Sequence, residues 1–288
     1  MLQKLILISA MTLALFLFSC DDEGKLNDVK NGEVSKDNLE IISTSSTFTN
    51  PFEYVGVWHN EGMTYVTDSS VADSTYSNQE RKEDVTSLIN DFLVNNKGQI
   101  ESEVSKYEAE VLKETLLDSM FSVNAPTVFS PRSVLSDKLS DMKYDSILSN
   151  LEESKILDCY DYVFDYDFSG MTKDQVMDTI IYRTYEMLED WSSTTWGSGG
   201  DGNFLAVYIA VIGNSAQYWK DNNTSGEPEI APWVAADAVG AVIGAGAAAA
   251  LDQYDSGSID WGHVGLGALF GAVGFSVPGT KWFKKCCL

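Results

Sequence analysis

The sequence predicts an all-α protein in which a single helical bundle domain over residues 50–280 follows a signal peptide and a disordered tether. Three observations lead to this prediction. Apolar residues recur at the three- and four-residue spacing of amphipathic helices, and residues that cap helices stand before several of these runs. In addition, residues 229–278 are rich in alanine and glycine and predict a glycine-zipper-like helical hairpin, which a short tail over residues 281–288 follows.

Residues 1–19 have the features of a bacterial lipoprotein signal peptide. Lys4 precedes an apolar run from Leu5 to Phe18, and Ser19 places a small residue before Cys20. This ending resembles a lipobox, in which the cysteine is acylated and becomes the first residue of the mature chain. The alternative is a transmembrane anchor, but the apolar run has about 14 residues where a bilayer needs about 20. We therefore expect lipid attachment to the membrane at Cys20.

The segment after Cys20 is polar and acidic. Asp21, Asp22 and Glu23 resemble the acidic export signal of Bacteroidota lipoproteins, which directs them to the outer face of the outer membrane. The alternative is the acidic start of a tether, and both interpretations are compatible. Residues 20–49 lack apolar periodicity, so we expect a flexible tether that holds a surface-exposed domain away from the outer membrane.

The composition is strongly acidic. Among 288 residues, 43 are Asp or Glu and 19 are Lys or Arg, which gives a net charge of −24 at pH 7. Such a surface repels phosphate groups, so we expect no nucleic-acid partner. A cationic partner or a divalent ion stays open, and the sequence names no particular protein or small-molecule partner.

Three cysteines remain once Cys20 is acylated: Cys159, Cys286 and Cys287. One of the adjacent pair could bond to Cys159 and leave an odd thiol. Export permits disulfides but does not require them. No Cys-x-x-Cys pair occurs, so neither a zinc ribbon nor a thioredoxin-type site is indicated, and we expect no metal and no cofactor.

The first predicted helix begins after Asn50. Pro51 suits a first turn, and Glu53 stands three residues after Asn50, as in a capping box. The helix is predicted to run to about Val66. One face carries Tyr54, Trp58, Glu61 and Tyr65.

Further helices are predicted in the middle of the chain. Apolar spacing over residues 85–93 predicts a helix that Gly98 ends, and a second helix follows over residues 100–121. Ser133 begins another, and Thr172 with Gln175 forms a capping box before the next. In residues 158–170, Asp alternates with aromatic residues, which fits a short strand or an aromatic-rich loop.

Residues 204–212 are apolar without a break, which fits a buried helix or a buried strand. Continuation through Ser215, Tyr218 and Trp219 favours a helix.

The C-terminal hairpin has two interpretations. Small residues recur every four positions on both arms, around a turn predicted over residues 252–260, so the helix backbones can approach closely. A membrane-inserting element is one interpretation, but the second arm, over residues 264–277, spans about 21 Å where a bilayer core is about 30 Å thick. Asp237 on the first arm would cost about 2.5–3.5 kcal/mol at mid-bilayer. A hairpin packed within the domain is therefore favoured.

Two histidines are candidate chemical groups. His59 stands two residues before Glu61, a spacing too short for zinc ligation from one helix face. We favour a structural His59 that bonds a backbone group. For His263 the alternatives are a helix cap, a contact with Asp237 across the hairpin, and plain packing, which we favour.

Two other segments imitate known sites without completing them. Asp165–Gly170 resembles the start of an EF-hand loop, but Val176 stands where a bidentate Glu is required. Gly197–Gly202 lacks the Gly-Lys-Ser/Thr of a P-loop, and no Gly-x-Ser-x-Gly elbow occurs. We predict no catalytic residue.

Three stretches together resemble a group of uncharacterised, mostly bacterial exported proteins. Their shared patterns are N-P-[YF]-[DE]-x-x-G-x-x-H-N-x-G, S-x-x-Y-W and A-D-x-x-G-A-x-x-G. The resemblance implies an all-helical domain and brings no activity with it. The matching positions, which we treat as a functional or structural motif, are Asn50, Pro51, Gly56, His59, Asn60, Gly62, Tyr218, Trp219, Asp237, Gly240 and Gly244.

The resulting expectation is a non-enzymatic, surface-exposed outer-membrane lipoprotein that binds a partner. A second hypothesis is a membrane-active, bacteriocin-like effector that uses the Gly/Ala-rich hairpin. A third is an enzyme using His59 and Glu61, which requires a cleft that holds both side chains.

Overall fold

A computed structural model describes residues 49–68, 91–92, 131–197, 201–222 and 231–286, all within one compact unit of the chain. Within these ranges, the regular secondary structure is helical and contains no strand, so the all-α prediction is confirmed for this part of the chain. The predicted signal peptide and nearly all of the tether lie outside the described residues. So do the helices predicted between residues 85 and 121, except Asp91 and Phe92, which are helical.

Besides the helical residues Asp91 and Phe92, the described part of the chain contains seven helices, numbered in chain order. They are α1 (Glu53–Asp68), α2 (Pro131–Tyr144), α3 (Asn150–Phe164), α4 (Lys173–Ser193), α5 (Asn203–Asn222), α6 (Ala231–Ser256) and α7 (Trp261–Cys286). Helices α6 and α7, which are neighbours in the chain, are in close contact with each other. Helix α1 lies against both α5 and α7.

Helix α5 is the central element. It contacts α1, α3, α4 and α6, and its side chains from Phe204 to Ile212 are all buried. A helix that is apolar on every face is stable in water only when neighbours cover all of it. The choice between helix and strand for this run is therefore settled as a helix, as Ser215, Tyr218 and Trp219 indicated.

Helices α6 and α7 form an antiparallel hairpin whose backbones touch. A Cβ atom added to Gly244 would lie 1.8 Å from the carbonyl oxygen of Gly267, and one added to Gly271 would lie 1.9 Å from that of Gly240. No side chain fits at these crossings, so the small residues are required for the approach. Helix α6 continues to Ser256, so the turn is shorter than the predicted 252–260.

Helix α3 is an element that sequence reasoning missed. It runs to Phe164, so the first half of the Asp- and aromatic-rich segment 158–170 is helical and not a strand or loop. The hydroxyl of Ser149 caps it by accepting from the backbone N–H of Glu152 at 3.2 Å. Apolar residues at helical spacing form its buried face: Ile156, Cys159, Tyr160 and Val163.

The two predicted capping boxes differ in outcome. The box at Thr172 and Gln175 is confirmed, with both reciprocal hydrogen bonds present. The box at Asn50 and Glu53 is wrong, because the side chain of Glu53 accepts a hydrogen bond from Asn214 on α5 at 2.7 Å. Asn50 instead accepts from the backbone N–H of Phe52 at 2.9 Å.

A buried carboxylate covers the N-terminus of α5. Glu152 is 1% exposed, and its Oε1 accepts from the backbone N–H of Leu205 at 3.1 Å. The first N–H groups of a helix have no partner within the helix, so a carboxylate there satisfies them. Burial raises the pKa of Glu152 to about 7, although the hydrogen bonds from the backbone of Leu205, Gly202 and Phe204 act in the opposite direction.

Gly244→Ala should lower the free energy of unfolding by at least about 2 kcal/mol, because its new methyl group meets the backbone of α7 and forces the hairpin apart. Gly213→Ala is the matched control within α5. Its Cβ would lie 3.5 Å from Thr184, an ordinary contact, so it should be neutral or stabilising by up to about 1 kcal/mol. Urea unfolding of the two variants measures this, and equal stabilities would contradict the close approach.

Glu152→Gln should change how stability depends on pH. The pKa of Glu152 rises from 4.5 to about 7 on folding, so the folded state holds the proton more tightly. The resulting stability is present in full below pH 4.5 and is lost as the pH rises to about 7. Relative to the variant, the wild-type protein should therefore lose about 3 kcal/mol across that window. Urea unfolding at several pH values measures it, and parallel curves would contradict it.

Candidate functional site

A buried polar cluster lies where α1, α5 and α6 meet. It consists of His59 on α1, Ser215 and Trp219 on α5, and Asp237 on α6. His59, Ser215 and Asp237 are 0% exposed. Oδ2 of Asp237 accepts from the hydroxyl of Ser215 at 2.5 Å and from the indole N–H of Trp219 at 2.9 Å. One carboxylate oxygen thus joins two helices by charge-assisted hydrogen bonds.

The third contact of Asp237 is to His59. Nε2 of His59 lies 3.5 Å from Oδ2 of Asp237, which is an electrostatic contact and too long for a good hydrogen bond. The other carboxylate oxygen, Oδ1, has no hydrogen-bond partner within the described residues. Only one of the two carboxylate oxygens of Asp237 is therefore hydrogen-bonded.

Hydrogen-bond directions determine which nitrogen of His59 donates. The Nδ2 of Asn60 donates to the backbone carbonyl of Asn214 at 2.8 Å, and a carbonyl only accepts. Oδ1 of Asn60 is consequently the acceptor for Nδ1 of His59, at 2.9 Å. With Nδ1 as the donor to Asn60, Nε2 is the ring nitrogen that faces Asp237.

Helical spacing on α5 and the close approach of α1 to α5 bring these side chains together. Ser215 and Trp219 are four residues apart and share one face of α5. Gly56 lets α1 approach that helix, since a Cβ there would lie 2.4 Å from the carbonyl oxygen of Ala210. Asn50 ties the start of α1 to α5 by donating to the carbonyl of Ala206 at 2.8 Å.

The cluster lacks the order of a catalytic triad. In a Ser-His-Asp triad the histidine lies between the serine and the aspartate and takes the serine proton. Here Asp237 is central, and the hydroxyl of Ser215 donates to it. The arrangement links helices within the core, and it does not activate the hydroxyl of Ser215 as a nucleophile.

Both histidine predictions need correction. His59 does not bond a backbone group, since its partners are the side chains of Asn60 and Asp237. The plain packing role expected for His263 is incomplete, because its Nδ1 lies 2.7 Å from Oδ1 of Asp252 at the turn. The alternative contact, with Asp237, is not formed, since Asp237 faces His59. His59 is enclosed while Glu61 is exposed, so the cleft that the enzyme hypothesis requires is not formed.

Most of the remaining motif positions also serve helix contacts. Gly62 faces Val273 of α7, with 3.2 Å between a Cβ built on it and that side chain, and Gly240 and Gly244 form the hairpin crossings. Tyr218 is buried and stacks edge-on against Trp219. Pro51 is exposed in the turn before α1. Cys20 lies outside the described residues.

The other candidate sites are not assembled. Within the described residues, no group of three or more His, Cys, Asp or Glu side chains is arranged for a metal ion. In the segment that imitates an EF-hand, Asp167 instead accepts from the backbone N–H of Ser169 at 2.9 Å. Cys159 is a free, fully buried thiol on α3, so a disulfide to the C-terminal pair is not observed. Burial raises the pKa of this thiol, which makes it unreactive.

A surface groove lies between α1 and the end of α5, and we call it the α1–α5 groove. Its volume is about 590 Å³. The aromatic rings of Tyr65, Phe92 and Tyr218 contribute to its lining. Its polar lining consists of Asn60, Glu61, Thr64, Gln217, Asp221 and Asn222. Sequence reasoning placed Glu61 and Tyr65 on one stripe of α1 but could not show which helix lies opposite.

One stretch within the described residues, Trp233–Tyr254, is long and apolar enough to cross a membrane, with a mean hydropathy of 1.8. Its most apolar window is 78% buried inside the domain, which is also typical of a core helix in a water-soluble protein. Length and composition alone therefore do not distinguish a membrane-spanning helix from a core helix.

No family model, no curated protein and no solved structure matches the chain. Functional interpretation therefore depends on the buried polar cluster, the α1–α5 groove and the N-terminal sequence.

Asp237→Ala should lower the free energy of unfolding by about 3–5 kcal/mol, because it leaves a buried hydroxyl and an indole N–H without their shared acceptor and removes the carboxylate that faces His59. Asp252→Ala is the matched control. It removes one partner of the other histidine, His263, and the acceptor for the backbone N–H of Asp260. The His263 side chain is 22% exposed, so water replaces part of the loss and we expect about 1 kcal/mol.

Urea unfolding measures both losses. Should Asp237→Ala fail to fold, Asp237→Asn keeps an acceptor oxygen and is expected to fold with an intermediate loss. Equal losses for Asp237→Ala and Asp252→Ala would show that the buried polar cluster contributes no more to the free energy of unfolding than the contacts of Asp252 do.

Proposed function

We propose that this protein is a lipid-anchored envelope protein, exposed on the outer membrane, whose helical domain binds a partner and does not catalyse a reaction. The anchoring is supported by the apolar run that ends at Cys20, and the surface location by the acidic residues 21–23. Several acyl chains on one cysteine would make the attachment stable, whereas one chain alone binds only marginally.

The contrast between the buried polar cluster and the α1–α5 groove supports a binding role most directly. In the buried polar cluster, the side chains whose types are capable of catalysis, namely His59, Ser215 and Asp237, are all 0% exposed. A substrate would reach them only if the helices separated. The groove, by comparison, is open to solvent and carries the exposed side chains of Glu61 and Asp221.

We further propose that the motif shared with the resembling exported proteins maintains this scaffold. The contacts of Asn50, Gly56, Asn60 and Trp219 all join α1 or α6 to α5. In this proposal the glycine-zipper-like hairpin is a rigid support of the bundle, and the exposed surface around it determines the partner.

A membrane-active effector is the second candidate, and the apolar stretch Trp233–Tyr254 favours it. Asp237 is the single charged residue between Trp233 and Leu251. Insertion of this stretch requires the hairpin to leave α1 and α5 and to carry Asp237 away from its three partners. Release of a dye from vesicles mixed with the protein would favour this candidate, and dye retention favours the binding role.

Cys20→Ala should abolish acylation and processing. In a bacterium with an outer membrane, the wild-type protein should incorporate a radiolabelled fatty acid and be digested by protease added to intact cells. The variant should stay unlabelled and keep its N-terminal segment. Cys159→Ala removes a buried thiol and is the control, which should stay labelled. A labelled Cys20→Ala protein, or a wild-type protein recovered from the cytosol, would contradict the proposed anchor.

A further inference from the structure

Two atoms of the buried polar cluster have no hydrogen-bond partner within the described residues. They are Nε2 of His59 and Oδ1 of Asp237, and both side chains are 0% exposed. Nε2 lies 3.5 Å from the other oxygen of this carboxylate, Oδ2. A buried polar atom without a partner is costly and rare, so two of them side by side require a physical explanation.

The hydrogen bonds of the cluster lack one donor. Nδ1 of His59 donates to Oδ1 of Asn60, and the side chains of Ser215 and Trp219 both donate to Oδ2 of Asp237. In a neutral ring whose proton is on Nδ1, Nε2 is an acceptor. Its lone pair would then face a carboxylate that also only accepts. A proton on Nε2 turns this nitrogen into a donor and removes the conflict.

The charges around the cluster lead to the same conclusion. In the described part of the chain, Asp237 is the one acidic or basic side chain within ion-pair distance of His59, and no Lys or Arg pairs with Asp237. A water molecule between Nε2 and Oδ1 would satisfy both atoms but would leave an uncompensated carboxylate in the core, which is costly. The other charged side chains described on α1, α5, α6 and α7 are exposed or half-buried: Glu53, Glu61, Lys220, Asp221, Asp252 and His263.

We infer that the buried polar cluster is a proton-binding site, in which a proton taken up from solvent onto Nε2 of His59 attaches α1 to the hairpin. The imidazolium donates to Asn60 and to Asp237 and compensates the charge of the carboxylate. Loss of this proton at alkaline pH leaves Asp237 as an isolated buried charge and favours separation of α6 from α1. The site is thus a pH-sensitive closure of the hairpin, and it does not depend on the proposed anchor or binding role.

The sequence contains only 2 histidines, so the ring of His59 can be observed directly by NMR. The full chain, with nitrogen-15 in its histidine rings, is studied in a zwitterionic detergent at about pH 8, where a free histidine is neutral. His263→Gln leaves one imidazole and assigns the signals. An imidazolium has two ring nitrogens with similar shifts, and a neutral ring has two widely separated ones. We expect the imidazolium pattern for His59, and a neutral ring in either tautomer would overturn the inference.

A matched pair of variants separates the carboxylate of Asp237 from the general acidity of the protein. Asp237→Asn keeps an acceptor oxygen but removes the charge, so His59 should become neutral at about pH 8. Asp252→Asn makes the same change in net charge beside the other histidine, His263, and should leave His59 protonated. A protonated His59 in Asp237→Asn, or a neutral His59 in both variants, would overturn the inference.

Urea unfolding at several pH values tests the same site without a change at Asp237. Above about pH 7.5 an unfolded histidine has lost its proton, whereas the folded protein keeps one on His59, so stability falls as the pH rises. The unfolding constant of the wild-type protein should therefore rise up to about tenfold more per pH unit than that of His59→Gln. Both proteins contain Glu152, so its contribution cancels. Equal slopes would overturn the inference, and the ring spectrum of the wild-type protein decides the matter if neither variant at the cluster folds.

Discussion

One buried carboxylate holds three helices in register. Asp237 on α6 accepts from Ser215 and Trp219 on α5 and faces His59 on α1. Apolar packing around α5 is abundant but non-directional, and it would tolerate a shift of one helix along another. A hydrogen-bonded carboxylate does not tolerate such a shift, because it would leave a buried charge without donors. The positions of α1 and of the α1–α5 groove therefore depend on this cluster.

The glycine crossings explain how Asp237 comes to be fully enclosed. Because Gly240 and Gly244 allow α7 to lie directly on the backbone of α6, the hairpin is thin enough to be covered by α1, α2 and α5. The apolar faces that suggest membrane insertion are the same faces that pack inside the domain. High hydropathy in α6 is thus compatible with a core helix in which the buried Asp237 accepts hydrogen bonds from its neighbours.

The helices were largely predictable, and the site was not. Periodicity and small-residue spacing identify which face of α5 or α6 is buried, but not which residue lies opposite. His59 and Asp237 are far apart in sequence, so their contact depends on the packing of α1 against α5. The one available signal was Asp237, a lone Asp in an alanine-rich run, because a buried carboxylate requires hydrogen-bond donors. Helix α3 was missed because its aspartates alternate with aromatic residues, a pattern that resembles a strand.

Exchange of the indole N–H of Trp219 with solvent deuterium tests the enclosed cluster most directly. This N–H donates to Asp237 in the core, so it should exchange only when the whole domain unfolds. Its exchange free energy should then equal the free energy of unfolding obtained with urea. Exchange as fast as that of the half-buried Trp58 would mean that the cluster opens in the folded state, which contradicts its role as the constraint on the three helices.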